Sequence, residues 1–147
     1  MNKIIALNTS SEKGTLKKTV DNVNIDMNGI VGDAHAGTKN RQISLLSYES
    51  INNFTKRTKT GINNGDFAEN IIVSGIDFST ISLGDIFKIN RVELKVTQIG
   101  KECHGHECRI YQEVGDCIMP KEGLFTTVLN PGKIKVNDQV EYLPIKV

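Results

Sequence analysis

Net charge is nearly absent from this chain. Eighteen Lys and Arg stand against seventeen Asp and Glu, a formal balance of +1. A bulk electrostatic partner such as duplex DNA calls for far more positive charge, so no nucleic-acid role is expected. Long apolar runs are missing too. None approaches the roughly 18 residues a membrane helix needs, so no membrane role is expected either. The opening MNKIIALNTSSEKG turns polar too soon for a secretory leader, which points to the cytoplasm. Cysteine is scarce and odd in number, with three in all. Three thiols fit no disulfide framework, and cytoplasmic thiols stay reduced. No C-x-x-C pair lies beside a βαβ pattern, which excludes a thioredoxin-like redox site. Linkers, low-complexity tracts and internal repeats are absent, so residues 1–147 read as a single domain.

What is present is a soluble composition, 38% hydrophobic and 24% charged. A chain of this size can bury roughly two-thirds of its surface, enough for a core without staples. Strand signals dominate. Lys3–Leu7 is a short apolar run. Val23, Ile25 and Met27 alternate with polar residues, as do Val92, Leu94 and Val96, Ile134 and Val136, and Val140 and Tyr142. Period two with one apolar face describes half-buried strands. Arg41–Leu46, Asn70–Val73, Ile86–Ile89 and Thr126–Leu129 are further short strands. One helix is expected, capped by Ser47, with Glu49 in its first turn, Ile51 and Phe54 on one face, and Lys56, Arg57 and Lys59 before Gly61. A weaker helical turn is read in Ser10–Lys18. Gly32-Asp33, Gly65-Asp66, Gly84-Asp85, Gly115-Asp116 and Asn137-Asp138 are turn pairs that permit positive φ and offer Asp side-chain caps. Many short strands with regular turns imply a mainly β fold, a closed or nearly closed barrel.

The chemistry gathers in GKECHGHECRIYQEVGDCIMP, residues 100–120. This stretch holds Cys103, Cys108 and Cys117 and two of the three histidines, His104 and His106. A thiolate is the reactive and metal-binding form, and nearby cations favour it. Lys101 and His104 flank Cys103, and His106 and Arg109 flank Cys108, while Glu102 and Glu107 oppose them. Cys117, beside Ile118 and Met119, also reads as a small core hydrophobe. A structural zinc site from Cys103, His106, Cys108 and Cys117 is one alternative. Its C-x4-C spacing departs from the usual knuckles. The third histidine lies in GDAHAG, residues 32–37, where small residues leave backbone amides open to a ligand oxygen or phosphate. Thr38, Lys39 and Arg41 add donors. GDFAEN, residues 65–70, ends in Asn70, which can bond a ligand or cap the next strand.

Several ordered stretches then carry a family resemblance: GIVGDAHAG (29–37), RQISLLSYESI (41–51), GDFAENIIVSGIDF (65–78), LGD (83–85), LKVTQIGKECHGHECRIYQEVGDCIMPKEGLFTTVL (94–129) and GKIKVNDQV (132–140). Together they resemble the MOSC domain, named after the C-terminal part of molybdenum cofactor sulfurases. The resemblance implies a distorted, mostly antiparallel β-barrel with a few short helices. It also implies a molybdenum or tungsten pterin cofactor, with a rim-loop cysteine that carries sulfane sulfur or ligates the metal. Soft thiolate sulfur suits either role. Cys108, then Cys103, match the family's cysteine positions, although relatives that ligate molybdenum commonly show C-x-x-C. Cofactor contacts fall to His35, Lys39, Arg41, Asn70, Lys101 and Arg109, because an anionic pterin phosphate calls for amides and cations.

Two chemistries follow from the resemblance: sulfur transfer to the cofactor, or a small molybdoenzyme-type oxidoreductase that reduces N-hydroxylated substrates. A non-catalytic binding module or structural zinc protein stands as the alternative from another class. The chain carries no pyridoxal phosphate site of its own. The expected partners are therefore a molybdenum-cofactor biosynthesis or sulfur-donor protein, such as a pyridoxal phosphate enzyme, and a recipient molybdoenzyme.

Overall fold

The computed structural model describes residues 2–10, 18–33, 36–37, 42–58, 69–99 and 123–145. Eleven strands and one α-helix occupy them: β1 Lys3–Thr9, β2 Lys18–Val20, β3 Asn22–Asp26, β4 Gly29–Ile30, β5 Ile43–Ser47, α1 Tyr48–Thr58, β6 Ile71–Ser74, β7 Ile86–Ile89, β8 Val92–Ile99, β9 Leu124–Asn130, β10 Gly132–Lys135 and β11 Glu141–Leu143. A short 3₁₀ turn, η1, covers Phe78–Thr80. No helix among the described residues is long and apolar enough to cross a membrane.

The strands form two sheets. Eight run in the order β11-β7-β8-β9-β5-β6-β1-β2, and three in the order β10-β3-β4. All pairs are antiparallel except β5 with β6. That parallel pair exists because α1 sits between the two strands and returns the chain to the same end, as a crossover must. The apolar positions of alternating strands point to one core shared by both sheets, among them Leu7, Ile25, Ile30, Leu45, Val73, Phe87, Leu94, Val128 and Ile134. Ala6, Leu46, Phe54 and Ile72 are buried outside that cluster, where α1 packs on β5 and β6.

The mainly β character stands, but among the described residues the two sheets are not closed into a barrel. The outer edge of β1 is divided between two neighbours. Its C-terminal half, Leu7–Thr9, pairs with β2. Its N-terminal end meets the chain before β11 through the single bridge Lys3↔Gln139 and through backbone bonds joining residues 2 and 4 to residues 137, 138 and 140. Among the described residues no single strand occupies that whole edge. Met27 is a second departure. It continues the alternation of β3, but the chain turns there and leaves the side chain 53% exposed. Val136 likewise lies in the turn after β10. Lys18, read as the end of a helical turn, begins β2, and residues 11–17 lie outside the described set.

Three of the five turn pairs are described, and all three work alike. Gly32, Gly84 and Asn137 have φ of +85°, +93° and +77°. Each is followed by an aspartate that accepts from a backbone N–H outside its own turn pair: Asp33 from Ser10, Asp85 from Ser82 and Ile145, Asp138 from Lys135. The left-handed residue turns the chain; Asp33 and Asp85 fasten their turns to distant segments, and Asp138 closes its own turn.

Candidate functional site

Two polar regions stand at opposite ends of β5 and β6. The first is a row of side chains across four neighbouring strands: Thr19 in β2, Asn8 in β1, Asn70 before β6 and Ser44 in β5. Asn8 and Asn70 are wholly buried and Ser44 nearly so. Asn70 accepts on its side-chain oxygen from Ser44 N–H at 3.0 Å and from the Ser44 hydroxyl at 3.2 Å. Its amide nitrogen donates to the Asn8 carbonyl at 3.1 Å. Of the two roles read for Asn70, the strand cap is therefore visible in full: one side chain joins β1, β5 and β6. The Thr19 hydroxyl donates to Asn8 Oδ1 at 2.9 Å. The Asn8 Nδ2 has no hydrogen-bond partner among the described residues. An enclosed amide donor with no acceptor is costly, on the order of 1–3 kcal/mol, and is uncommon in folded proteins.

The turn bearing the GDAHAG stretch is fastened beside this row. Asp33 is buried, and its carboxylate takes the Ser10 N–H at 3.0 Å, two residues beyond Asn8. Asp33 N–H donates to Ile30 O, Ala36 N–H to Asp33 O, and Gly37 N–H to Asn28 O. His35, Lys39, Arg41, Lys101, Cys103, His104, His106, Cys108, Arg109 and Cys117 lie outside the described residues. Glu69, which the sequence did not single out beyond its motif, is wholly buried next to Asn70.

The second region is a cleft of about 550 Å³ at the far end of the same strands, roughly 16 Å from Asn70 along β6. Ser47, Glu49, Ser50 and Asn53 of the α1 entry form one side. Gly75, Ile76, Asp77, Phe78 and Ser79 form another, and Ile99 and Leu124 complete it. Local chemistry explains the walls. Ser47 caps α1 by accepting from Ser50 N–H at 3.2 Å. Glu49 accepts from Gly75 N–H at 3.0 Å and so ties the helix to the end of β6. Asp77 caps η1, accepting from the Ser79 hydroxyl at 2.6 Å and from its N–H at 3.0 Å. Those two bonds hold its carboxyl below the usual aspartate value.

Ile99 and Leu124 face each other in the β8–β9 register. The segment that contains every cysteine thus leaves and rejoins the sheet at paired residues on the rim of this cleft. Among the described residues there is no cluster of three or more His, Cys, Asp or Glu. A phosphate-bearing pterin does not suit the cleft's described lining, which offers two carboxylates and no cation. The row at the other end suits a neutral oxygen, because its open group is an uncharged amide donor.

A third polar station lies under the C-terminal strand. Asp85, in the LGD stretch, is buried and accepts from Ile145 N–H and Ser82 N–H, each at 2.8 Å, and from the Tyr142 hydroxyl. Burial pushes its carboxyl up, but the three donors outweigh burial and its pKa lies below the ordinary aspartate value. Burial and the adjoining carboxylate push Tyr142 up to about 12. Sequence reading saw a turn here and missed the clamp, because Asp85 and Tyr142 stand 57 residues apart.

Comparison with known proteins agrees with this architecture. The protein YuaD from Bacillus subtilis superposes with a TM-score of 0.82 at 21% identity, covering 99% of this chain and 98% of that one. YiiM from Geobacillus stearothermophilus gives 0.74 at 20%, covering 97% and 75%, and YiiM from Escherichia coli gives 0.71 at 19%, covering 99% and 71%. Identities this low speak for the fold. No curated protein matches the chain. Residues 32–141 match the family model of the MOSC domain, well over half of the 147, and the chain belongs to the MOSC domain family.

Proposed function

We propose that this MOSC domain binds a molybdenum or tungsten pterin cofactor, carries sulfane sulfur on a cysteine for sulfuration of that cofactor, or does both. The carrying observation is the pairing of Ile99 with Leu124, which roots the cysteine-bearing segment at one end of the β8–β9 pair, beside the cleft. Cys108 is the first candidate for the sulfur and Cys103 the second. His35, Lys39, Arg41, Lys101 and Arg109 supply the cationic and amide-rich surroundings that an anionic pterin calls for. Asn70 contributes through the strands it joins. When bound, the cofactor would supply a metal centre with an affinity for thiolate.

As a sulfur carrier, the chain needs a donor. The Cys108 thiolate attacks the outer sulfur of a partner's cysteine persulfide. A new S–S bond forms at Cys108, the donor's S–S bond breaks, and its electron pair leaves on the donor thiolate. No external oxidant enters. The partner is a sulfur-donor protein, of which a pyridoxal phosphate enzyme is the expected kind, and the recipient is a molybdoenzyme or its cofactor pathway.

Metal and pterin content of protein from a cofactor-competent cell, with persulfide labelling of its thiols, tests this reading. Cys108→Ser is expected to abolish persulfide labelling or metal retention, with Cys103→Ser weaker. If both single variants and the double variant match the parent in every readout, the proposal fails.

A further inference from the structure

The polar row that ends at Asn8 and Thr19 is half satisfied. Asn8 is wholly buried in β1, and its Nδ2 is an enclosed donor with no partner among the described residues. The other half of the same amide is spoken for, because Oδ1 accepts from the Thr19 hydroxyl at 2.9 Å. Asn8 and Thr19 face each other in the β1–β2 register, so their side chains rise on one face of the sheet. A primary amide carries its oxygen and one of its N–H bonds along the same edge. The hydroxyl seated on Oδ1 therefore lies beside that N–H as well. It has given its one proton to Oδ1 and keeps lone pairs that accept. An enclosed donor without an acceptor costs more than the ordering of one water.

We propose that one water molecule is bound between these two side chains and closes a ring. Asn8 Nδ2 donates to the water, the water to Thr19 Oγ1, and Thr19 Oγ1 to Asn8 Oδ1. All three bonds run in one sense, the arrangement in which hydrogen bonds strengthen one another. The chemistry selects water over an ion. A cation would meet the amide protons, and an anion has no proton to give Thr19. Thr19 is exposed on the edge strand β2, so the site is filled from the sheet edge. β2 is only three residues long. The bridged pair adds a side-chain tie to its short ladder and carries the row of Ser44 and Asn70 out to the edge. The site uses no cysteine and stands or falls apart from the cofactor reading.

A crystal structure of the full chain that shows ordered waters, with water-selective nuclear magnetic resonance of the Asn8 side-chain amide, tests the assignment. One water is expected within about 2.7–3.2 Å of both Asn8 Nδ2 and Thr19 Oγ1, with magnetisation passing from water to the Asn8 amide protons. Thr19→Ser keeps the hydroxyl and should leave both signals as in the parent. Thr19→Val keeps the shape and removes the acceptor. It should lose the water and speed exchange of the Asn8 amide protons at least tenfold. Four results would each overturn the proposal: no water at this place, a protein group accepting from Nδ2, the amide turned so that Nδ2 donates to Thr19 directly, or a water that stays in Thr19→Val. Should the valine variant fail to fold, the parent and the serine variant decide the question between them.

Discussion

Removing the Asn70 side chain strands buried groups on two strands at once. Ser44 N–H loses its side-chain acceptor, and the Asn8 carbonyl loses its amide donor. Each buried orphan costs on the order of 1–3 kcal/mol, so Asn70→Ala should lower stability by about 3 kcal/mol in urea unfolding. A loss under 1 kcal/mol would deny Asn70 its structural role. Asp85 makes a prediction with a sign. Its folded pKa is lowered, so its contribution is present above the unfolded value of about 3.9 and is lost as pH falls through the folded one. Tyr142 is raised, so its contribution is present below about 10 and is lost as pH rises toward about 12. Asp85→Asn should therefore destabilise the protein near neutrality, flatten the acid limb of the stability profile and bring Tyr142 back toward 10 in a spectrophotometric titration. At this scale the sequence was half legible. Asn70 was recognised as a residue that bonds a ligand or caps a strand, since an amide before an apolar run does either. The choice depends on Ser44 and Asn8, which are 26 and 62 residues away.

Among the elements, α1 was the most legible, because its signals are local. Ser47, Glu49 and Phe54 stand where capping, dipole and burial require them, and the structure opens the helix at Tyr48. Ser47→Ala should cost about 1 kcal/mol through the lost cap, and Phe54→Ala about 3–5 kcal/mol through the cavity left against β5 and β6. Thermal unfolding of the two variants checks the order, and a reversed order would show that α1 is held by its cap rather than its core face. Strands that show alternation were found where it runs, as with Val92, Leu94 and Val96 in β8, and the short strand Ile86–Ile89 was read at its bounds. β2 and β4 were missed because three and two residues cannot display a period of two. Met27 was misread because alternation continues into the turn, where nothing covers the side chain.

For the whole molecule, alternation announces which face of a strand is buried but not which strand lies beside it. Barrel closure was therefore an inference from number and turns, and the divided edge of β1 was beyond it. The segment that completes this edge turns on Asn137, whose φ is +77°. Asn137 N–H donates to Ile4 O at 2.9 Å, Ile4 N–H to Asp138 O at 3.0 Å, and the Asp138 carboxylate accepts from the Asn90 side-chain amide at 2.8 Å. Asparagine tolerates the left-handed region, whereas a β-branched residue is strained there by roughly 1–2 kcal/mol. Asn137→Gly should therefore be nearly neutral and Asn137→Val destabilising by about that amount. Because this turn joins the first strand to the last, the loss should be global. Far-ultraviolet circular dichroism and tyrosine fluorescence should shift together in denaturant, with one midpoint and an unchanged slope. If Asn137→Val separates the two transitions, β11 and its clamp at Asp85 unfold on their own, and the bonds between residues 2–4 and 137–140 do not bind the sheet into one cooperative unit.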